Sequence, residues 1–196
     1  MKNIRLAVIF GLISAILISI SNFDAQCQDL RKNVFRLHII ANSNSEADQE
    51  LKLKVRDAVL EISEEFYLNT KTTEQAIKIT NENADLILKT AKEVIKENGF
   101  NYDVKLNIGK AYFNNREYED FTLPAGEYNA LNIVIGEGEG KNWWCVMFPA
   151  MCIGAATELD SAVSEYSAEI ATNPQNYVFK FKTVEIYENL KKYFKK

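Results

Sequence analysis

The side chains that could carry chemistry in this chain are one histidine, three cysteines and several closely spaced carboxylates. His38 is the only histidine, so any Ser–His–Asp or Cys–His mechanism would have to use it. It alternates with Arg36 on a short apolar segment, which favours a structural or surface role. Asp48, Asp57 and Glu61 could supply the acid pair of a glycoside hydrolase. The i,i+4 spacing of Asp57 and Glu61 is also typical of a solvated helix face, and we prefer that interpretation.

The cysteines indicate cross-linking or packing rather than metal binding. Cys145 and Cys152 flank Pro149 and predict either a disulfide bond or two buried thiols. Cys27 is the odd one out. No pair among the three cysteines and the histidine has the short spacing that zinc sites use, so we expect no metal and no cofactor.

The glycine-rich segment Gly136–Lys141 resembles a phosphate-binding loop in composition, but its residue spacing argues against one. It lacks the four-residue spacing before Gly-Lys, and Asn142 stands where Ser or Thr would bind magnesium. A strand is predicted to follow it instead of a helix. We therefore expect a tight hairpin in which the glycines supply positive φ angles.

The net charge and the first 21 residues limit the classes of protein to which this chain can belong. The 196 residues carry a formal charge of −4, which gives no global reason to bind nucleic acid. Lys2 and Arg5 precede an uncharged apolar run over 6–20, the length of a signal-peptide core and short for a membrane span. We predict a signal peptide or N-terminal membrane anchor over 1–21 and a polar linker over 22–33. Lysines at the C-terminus could complement a helix dipole or lie near an anionic membrane surface.

Periodicity predicts the elements of a single α+β domain over 34–196. A strand over 34–40 should present Phe35, Leu37 and Ile39 on one face. A helix should follow, capped by Ser45, with Asp48 and Lys52 as an i,i+4 pair in the favourable order. A second helix should cover 73–98. Both helices should pack on a mainly antiparallel sheet.

The second half of the chain should supply most of the sheet. Strands are predicted over 104–108, 128–135 and 143–148, with a hairpin turn at Asn114-Asn115. The strand over 143–148 is apolar on both faces, so we expect it at the centre of the sheet. Residues 153–176 should hold a short helix in a flexible segment. A strand over 178–182 and a C-terminal helix should complete the domain.

Trp143 and Trp144 are the most distinctive pair in the chain. On a strand they would point to opposite faces. Either both belong to the core, or one is partly exposed as an anchor for a partner, a role in which tryptophan is enriched.

Two blocks resemble one known family. The segments FRLHIIANSNSEADQELKLKVRDAVL (35–60) and LPAGEYNALNIVIGEGEGKNWWCVMFP (123–149), with the string Asn142-Trp143-Trp144-Cys145, resemble the stage II sporulation protein R family. One departure is that Pro149 is followed by Ala150, where the family usually has a second proline. The resemblance implies a non-enzymatic protein exported from the forespore into the space between forespore and mother cell. There it would activate a membrane-embedded aspartic protease of the mother cell, leading to processing of a sigma factor precursor.

The resemblance also directs the search for a partner-binding surface to the two blocks. We expect such a surface to include Asn42, Ser43, Asp48, Gly126, Glu127, Tyr128, Asn142, Trp143 and Trp144. The alternative function is a secreted hydrolase that uses carboxylates, or a module that binds the cell wall through exposed tryptophans.

Overall fold

A computed structural model describes residues 2–118, 121–149 and 164–194. The α+β class is confirmed. The helices are α1 (Lys2–Asn33), α2 (Glu46–Tyr67), α3 (Thr73–Glu82), α4 (Ala84–Glu97), α5 (Glu165–Thr172) and α6 (Val178–Phe194), with a 3₁₀ turn at Pro174–Asn176. The strands are β1 (Phe35–Ile40), β2 (Val104–Phe113), β3 (Arg116–Glu117), β4 (Thr122–Leu123), β5 (Gly126–Ile135) and β6 (Asn142–Phe148).

The chain divides into two compact units, and each is assembled from segments distant in sequence. The first, here the helical unit, comprises residues 1–31, 113–126 and 163–196. The second, here the sheet unit, comprises residues 32–112 and 127–162.

The sheet unit is built on four strands in the order β2-β5-β1-β6. β1 pairs in parallel with β5 and antiparallel with β6, so the sheet is mixed. The prediction that the strand over 143–148 lies at the centre was wrong, because within the described residues β6 is an edge strand. This strand is apolar on both faces because other parts of the protein cover both faces. Side-chain burial carries no information on how many strands lie alongside.

Helices α2, α3 and α4 share one hydrophobic core with one face of this sheet. The predicted stripe of α2 is confirmed at Leu51, Val55 and Val59, which are buried with Leu37 and Ile39 of β1. The single helix predicted over 73–98 is instead two helices. Asn83 separates them, and both its backbone N–H and its side-chain amide donate to the carbonyl of Ile79. Such local side-chain bonding competes with continuation of a helix.

In the helical unit, the predicted linker over 22–33 is in fact the second half of α1. Phe23, Cys27 and Leu30 are buried, and their spacing of four and three residues is a helical stripe that a polar composition concealed. Phe23 and Cys27 pack with Phe181 of α6. No helix among the described residues combines the length and apolar character needed to cross a membrane.

Two further predictions for this unit need correction. The strand over 178–182 was wrong, because these residues begin α6, in which Phe181 and Val184 are buried three residues apart. A five-residue alternation cannot by itself distinguish a strand from one turn of helix. The hairpin expected at Asn114-Asn115 is replaced by pairing of β3 with β4. The short helix expected within 153–176 is present as α5, and residues 150–163 lie outside the described residues.

Candidate partner-binding site

The turn between β1 and α2 is organised around one carboxylate. Ser45 caps α2 by accepting a hydrogen bond from the backbone N–H of Asp48 at 3.2 Å, as predicted. The Asp48 carboxylate in turn accepts from Asn42 Nδ2 at 2.9 Å and from Ser43 Oγ at 2.6 Å. Three residues from the predicted site are therefore in direct contact.

The glycine-rich loop over 136–141 lies against this turn. The backbone N–H of Glu137 donates to Asn42 Oδ1 at 3.1 Å, and that of Lys141 donates to Asn44 Oδ1 at 2.9 Å. The N–H of Gly140 donates to the carbonyl of Ala41 at 2.9 Å. These amides, which a phosphate-binding loop would offer to its ligand, are used by the protein itself. We call residues 41–48 and 136–141 together the loop junction.

Close approach explains two of the glycines in this loop. A Cβ at Gly140 would collide with the carbonyl oxygen of Ser43 and lie 2.8 Å from the Ala41 side chain. A Cβ at Gly136 would collide with Asn42 Oδ1, and Gly136 has a φ of +57°. The prediction of positive φ angles is confirmed at Gly136 and at Gly138 (+68°). The predicted tight hairpin was wrong, because β1 lies between β5 and β6 and the loop therefore joins two strands that do not pair with each other.

The two members of the predicted i,i+4 pair, Asp48 and Lys52, are both buried. Asp48 is 3% exposed and Lys52 is 4% exposed. Lys52 Nζ donates to Gln49 Oε1 at 2.7 Å and to the carbonyl of Lys141 at 3.0 Å, so it ties α2 to the glycine loop. The i,i+4 spacing was visible in the sequence, but the loop that covers both side chains was not.

The two buried groups respond differently to their surroundings. Burial alone would raise the pKa of Asp48, but hydrogen bonds from Ser43 and Asn42 outweigh it and hold the pKa below its ordinary value. Burial, followed by the nearby charges of Lys141 and Arg56, lowers the pKa of Lys52. The carboxylate is thus kept ionised as an acceptor for the turn.

Next to the loop junction, a polar and aromatic row crosses the sheet face opposite α2. In register, His38 of β1 lies between Asn132 of β5 and Trp144 of β6. Its ring stacks on Trp144 with centroids 3.7 Å apart. Nδ1 lies 3.1 Å from Asn132 Oδ1, and Nε2 lies 3.0 Å from Asn142 Oδ1. His38 therefore positions other side chains, in line with the structural role expected for it.

The tryptophans occupy opposite faces, as predicted. Trp143 lies on the α2 side, where the Arg56 guanidinium carbon is 4.4 Å from the centroid of its ring. Its Nε1 is buried and has no hydrogen-bond partner within the described part of the chain. Trp144 lies on the outer face with His38, and both tryptophans are half-buried.

The remaining predicted site residues do not join the loop junction. Tyr128 is fully buried, with the Arg36 guanidinium carbon 4.8 Å from its ring centroid, and a side chain so placed cannot touch a partner in this structure. In the helical unit, a Cβ at Gly126 would lie 2.5 Å from Arg31 Cδ. Glu127, between them in sequence, is exposed.

The candidate catalytic carboxylates are separated by their surroundings. Asp48 is buried in the turn, whereas the Asp57 side chain is 63% exposed and forms an ion pair with Arg56. Glu61 is exposed on α2. One buried and two solvated carboxylates are not the arrangement of a paired acid and base.

The two cysteines among the described residues differ in their bonding. Cys145 is disulfide-bonded, whereas Cys27 is a free thiol, and burial raises the pKa of Cys27 to about 12. Cys152 lies outside the described residues, so its pairing with Cys145 stays a prediction. No group of side chains able to hold a metal ion occurs among the described residues.

Sequence reasoning missed several residues that build the site: Asn44, Gln49, Lys52 and Asn132 through their side chains, and Lys141 through its backbone. Only Lys52 carried a signal, since it stands four residues after Asp48. The others act through amide groups or backbone carbonyls whose partners lie on distant segments.

The fold and site therefore define an α+β protein with a pre-formed polar loop platform beside a histidine–tryptophan stack. Residues 31–158 match the family described as Stage II sporulation protein R (spore_II_R), and the chain belongs to that family. It is 38% identical over 117 residues to "Stage II sporulation protein R" of Bacillus subtilis (strain 168), covering 60% of this chain and 52% of that protein. The chain thus spans about half the length of this curated relative. No solved structure matches.

Membership supports a role in sporulation, and the family is named for a sporulation stage rather than for an enzymatic reaction. The two blocks that carried the resemblance are brought together in space. The first supplies β1 and most of α2, the second supplies β5 and β6, and β1 pairs with both of these strands.

Proposed function

We propose that this protein is a sporulation signal exported from the forespore into the space between forespore and mother cell. There it activates a membrane-embedded aspartic protease of the mother cell, which processes a sigma factor precursor. It acts by binding and performs no catalysis of its own. The family match over residues 31–158 supports this role.

The observation that carries the proposal is the internal bonding of the loop junction. A soluble ligand can drive a receptor only by binding its active state more tightly than its inactive state. A surface already fixed by Asp48 and Lys52 loses little conformational entropy on binding, so more of its contact energy remains for that discrimination.

Charge suggests the character of the partner. The rim of the loop junction exposes Glu46, Glu137 and Glu139, with Lys141 beside them. The partner surface should therefore be basic, because complementary charge speeds encounter and fixes register. The outer face of Trp144, next to Asn142, provides an aromatic contact adjoining this rim.

The decisive experiment is reconstitution in a non-sporulating host. The chain is produced together with the candidate protease and the sigma factor precursor, and precursor cleavage is followed by immunoblotting. Cleavage that depends on this chain supports the proposal. If a protease that is competent with a known activator cleaves nothing in its presence, the proposal is overturned.

Charge-neutral variants then test the surface. Glu137→Gln with Glu139→Gln should reduce precursor cleavage by about tenfold while leaving the melting temperature unchanged. The control is Glu93→Gln with Glu97→Gln on the exposed side of α4, which should cleave as the parent does. If the two double variants support equal precursor cleavage, the loop junction is not part of the interface with the protease.

The tryptophans separate binding from stability. Trp143→Ala should destabilise by about 2–4 kcal/mol because its ring packs against α2 and the core. Trp144→Ala should cost less stability and lose more cleavage, since its ring lies on the outer face. Melting and cleavage measured for both variants decide the matter, and strong destabilisation in both would contradict a docking role for Trp144.

A further inference from the structure

Helix α6 has two apolar faces. The inner face buries Phe181 and Val184 in the core of the helical unit. The outer face is exposed: Phe179 is 89% exposed, Tyr193 77%, and Ile186 and Leu190 53% each. At 100° per residue these four side chains fall within a sector of about 60°, which makes one continuous stripe. We call it the outer stripe.

Positive charge is concentrated on the same helix. Residues 178–196 contain six lysines and two glutamates, a net charge of +4 in a chain whose total is −4. Tyr187 and Phe194, 54% and 81% exposed, widen this apolar face on one side. Lys182 and Lys191 lie just beyond the two edges of the widened face and are 67% and 47% exposed. Each has a glutamate within 3.5 Å, but such exposed pairs contribute little, and the excess of lysine remains.

The outer stripe belongs to a unit that already exposes apolar side chains. The first half of α1 exposes Ile4, Val8 and Phe10 at 70%, 55% and 65%. Phe23 of α1 packs on Phe181 of α6 with ring centroids 5.2 Å apart. At 1.5 Å per residue, Phe23 lies only about 30 Å along α1 from Ile4, so one helix links both surfaces.

We propose that the outer stripe of α6 is a binding site for the surface of an anionic phospholipid bilayer. The helix lies in the plane of the interface, with Phe179, Ile186 and Leu190 among the upper acyl chains and the flanking lysines against headgroup phosphates. Apolar side chains on one face with lysines at its borders are the signature of interfacial helices. The opposite charge of the rest of the chain orients the helix toward the lipid. This inference does not depend on the proposed receptor.

Flotation with vesicles tests the site on the full chain. Vesicles of phosphatidylcholine with phosphatidylglycerol are compared with vesicles of phosphatidylcholine alone. Ile186→Gln with Leu190→Gln should reduce partitioning onto the anionic vesicles by at least about tenfold. The matched control is Leu68→Gln with Leu86→Gln, two exposed leucines of the sheet unit, which should bind as the parent does. Because α1 also exposes apolar side chains that could bind lipid, the site is tested by the difference in vesicle partitioning between the α6 variant and the control variant.

A charge variant isolates the electrostatic part. Lys182→Gln with Lys191→Gln should weaken binding to anionic vesicles by about fivefold per lysine at low salt, and leave binding to neutral vesicles unchanged. Circular dichroism melting confirms that each variant is folded. The proposal is overturned if both variants float like the parent. It is also overturned if the apolar variant keeps its lipid binding but converts an oligomer to a monomer in sedimentation, since the outer stripe would then bind a second copy.

Discussion

The loop junction and the outer stripe of α6 reverse the usual places of polar and apolar residues. Asp48 of the loop junction and Lys52, one turn further along α2, are almost completely buried, whereas on α6, Phe179 and Phe194 are 89% and 81% exposed. Asp48 is tolerated inside because Asn42 and Ser43 of the preceding turn donate hydrogen bonds to it in place of water. Lys52 is tolerated because Gln49 and the distant carbonyl of Lys141 accept hydrogen bonds from it. Phe179 and Phe194 remain outside because Phe181 and Val184 on the inner face of the helix already fill its core. The comparison teaches that residue type sets the cost of burial, while the available partners decide whether that burial occurs.

The largest effect should come from removing the support of α6. A chain that begins at Val34 lacks Phe23, Cys27 and Leu30, so the core around Phe181 opens and α6 should lose its amide protection. A chain that begins at Asn22 retains all three and should keep that protection. Hydrogen exchange over 178–194 measures this. Equal protection in the two chains would show that α6 does not depend on α1.

Breaking the loop junction should come next. Asp48→Ala leaves the half-buried donors of Asn42 and Ser43 without their acceptor, and should lower the free energy of unfolding by about 3 kcal/mol. Asp57→Ala, at a side chain that is 63% exposed, should stay within about 0.5 kcal/mol. Urea denaturation compares them. Similar values for the two variants would mean that the loop junction contributes little to stability.

A smaller loss should follow from crowding the same contact. Gly140→Ala places a methyl group against the carbonyl of Ser43, which the loop can relieve only by shifting, at a cost of about 1–3 kcal/mol. Gly109→Ala is the control, since the nearest atom to its added Cβ would be 3.7 Å away. If both alanines melt together with the parent, the two loops are not in close contact.

The smallest effect should be on pH dependence. The folded pKa of Asp48 is lowered from an ordinary value of 3.8, so its contribution to stability is present above about that pH and is lost as the pH falls below it. The free energy of unfolding should therefore fall more steeply between pH 4 and pH 2 in the parent than in Asp48→Asn. Parallel curves would show that the carboxylate is not preferentially stabilised in the folded state.

Local patterns predicted much of the sheet unit. The alternation of Phe35, Leu37 and Ile39, the cap at Ser45 and the opposite faces of Trp143 and Trp144 are all confirmed, because each depends on neighbours within a few residues. The helical unit was less predictable. Its stripes at Phe23, Cys27 and Leu30 and at Phe181 and Val184 are short and lie in polar surroundings.

The α+β class, the positions of the main turns and the family to which the chain belongs could all be inferred from the amino-acid sequence. These follow from periodicity, capping residues and two distinctive blocks. Three features could not be inferred in this way: the edge position of β6, the burial of Asp48 and Lys52, and the donation of amides from the glycine loop to the turn after β1. Each depends on contacts between residues roughly 90 to 110 positions apart, and no local pattern specifies which distant carbonyl or amide will meet a given side chain.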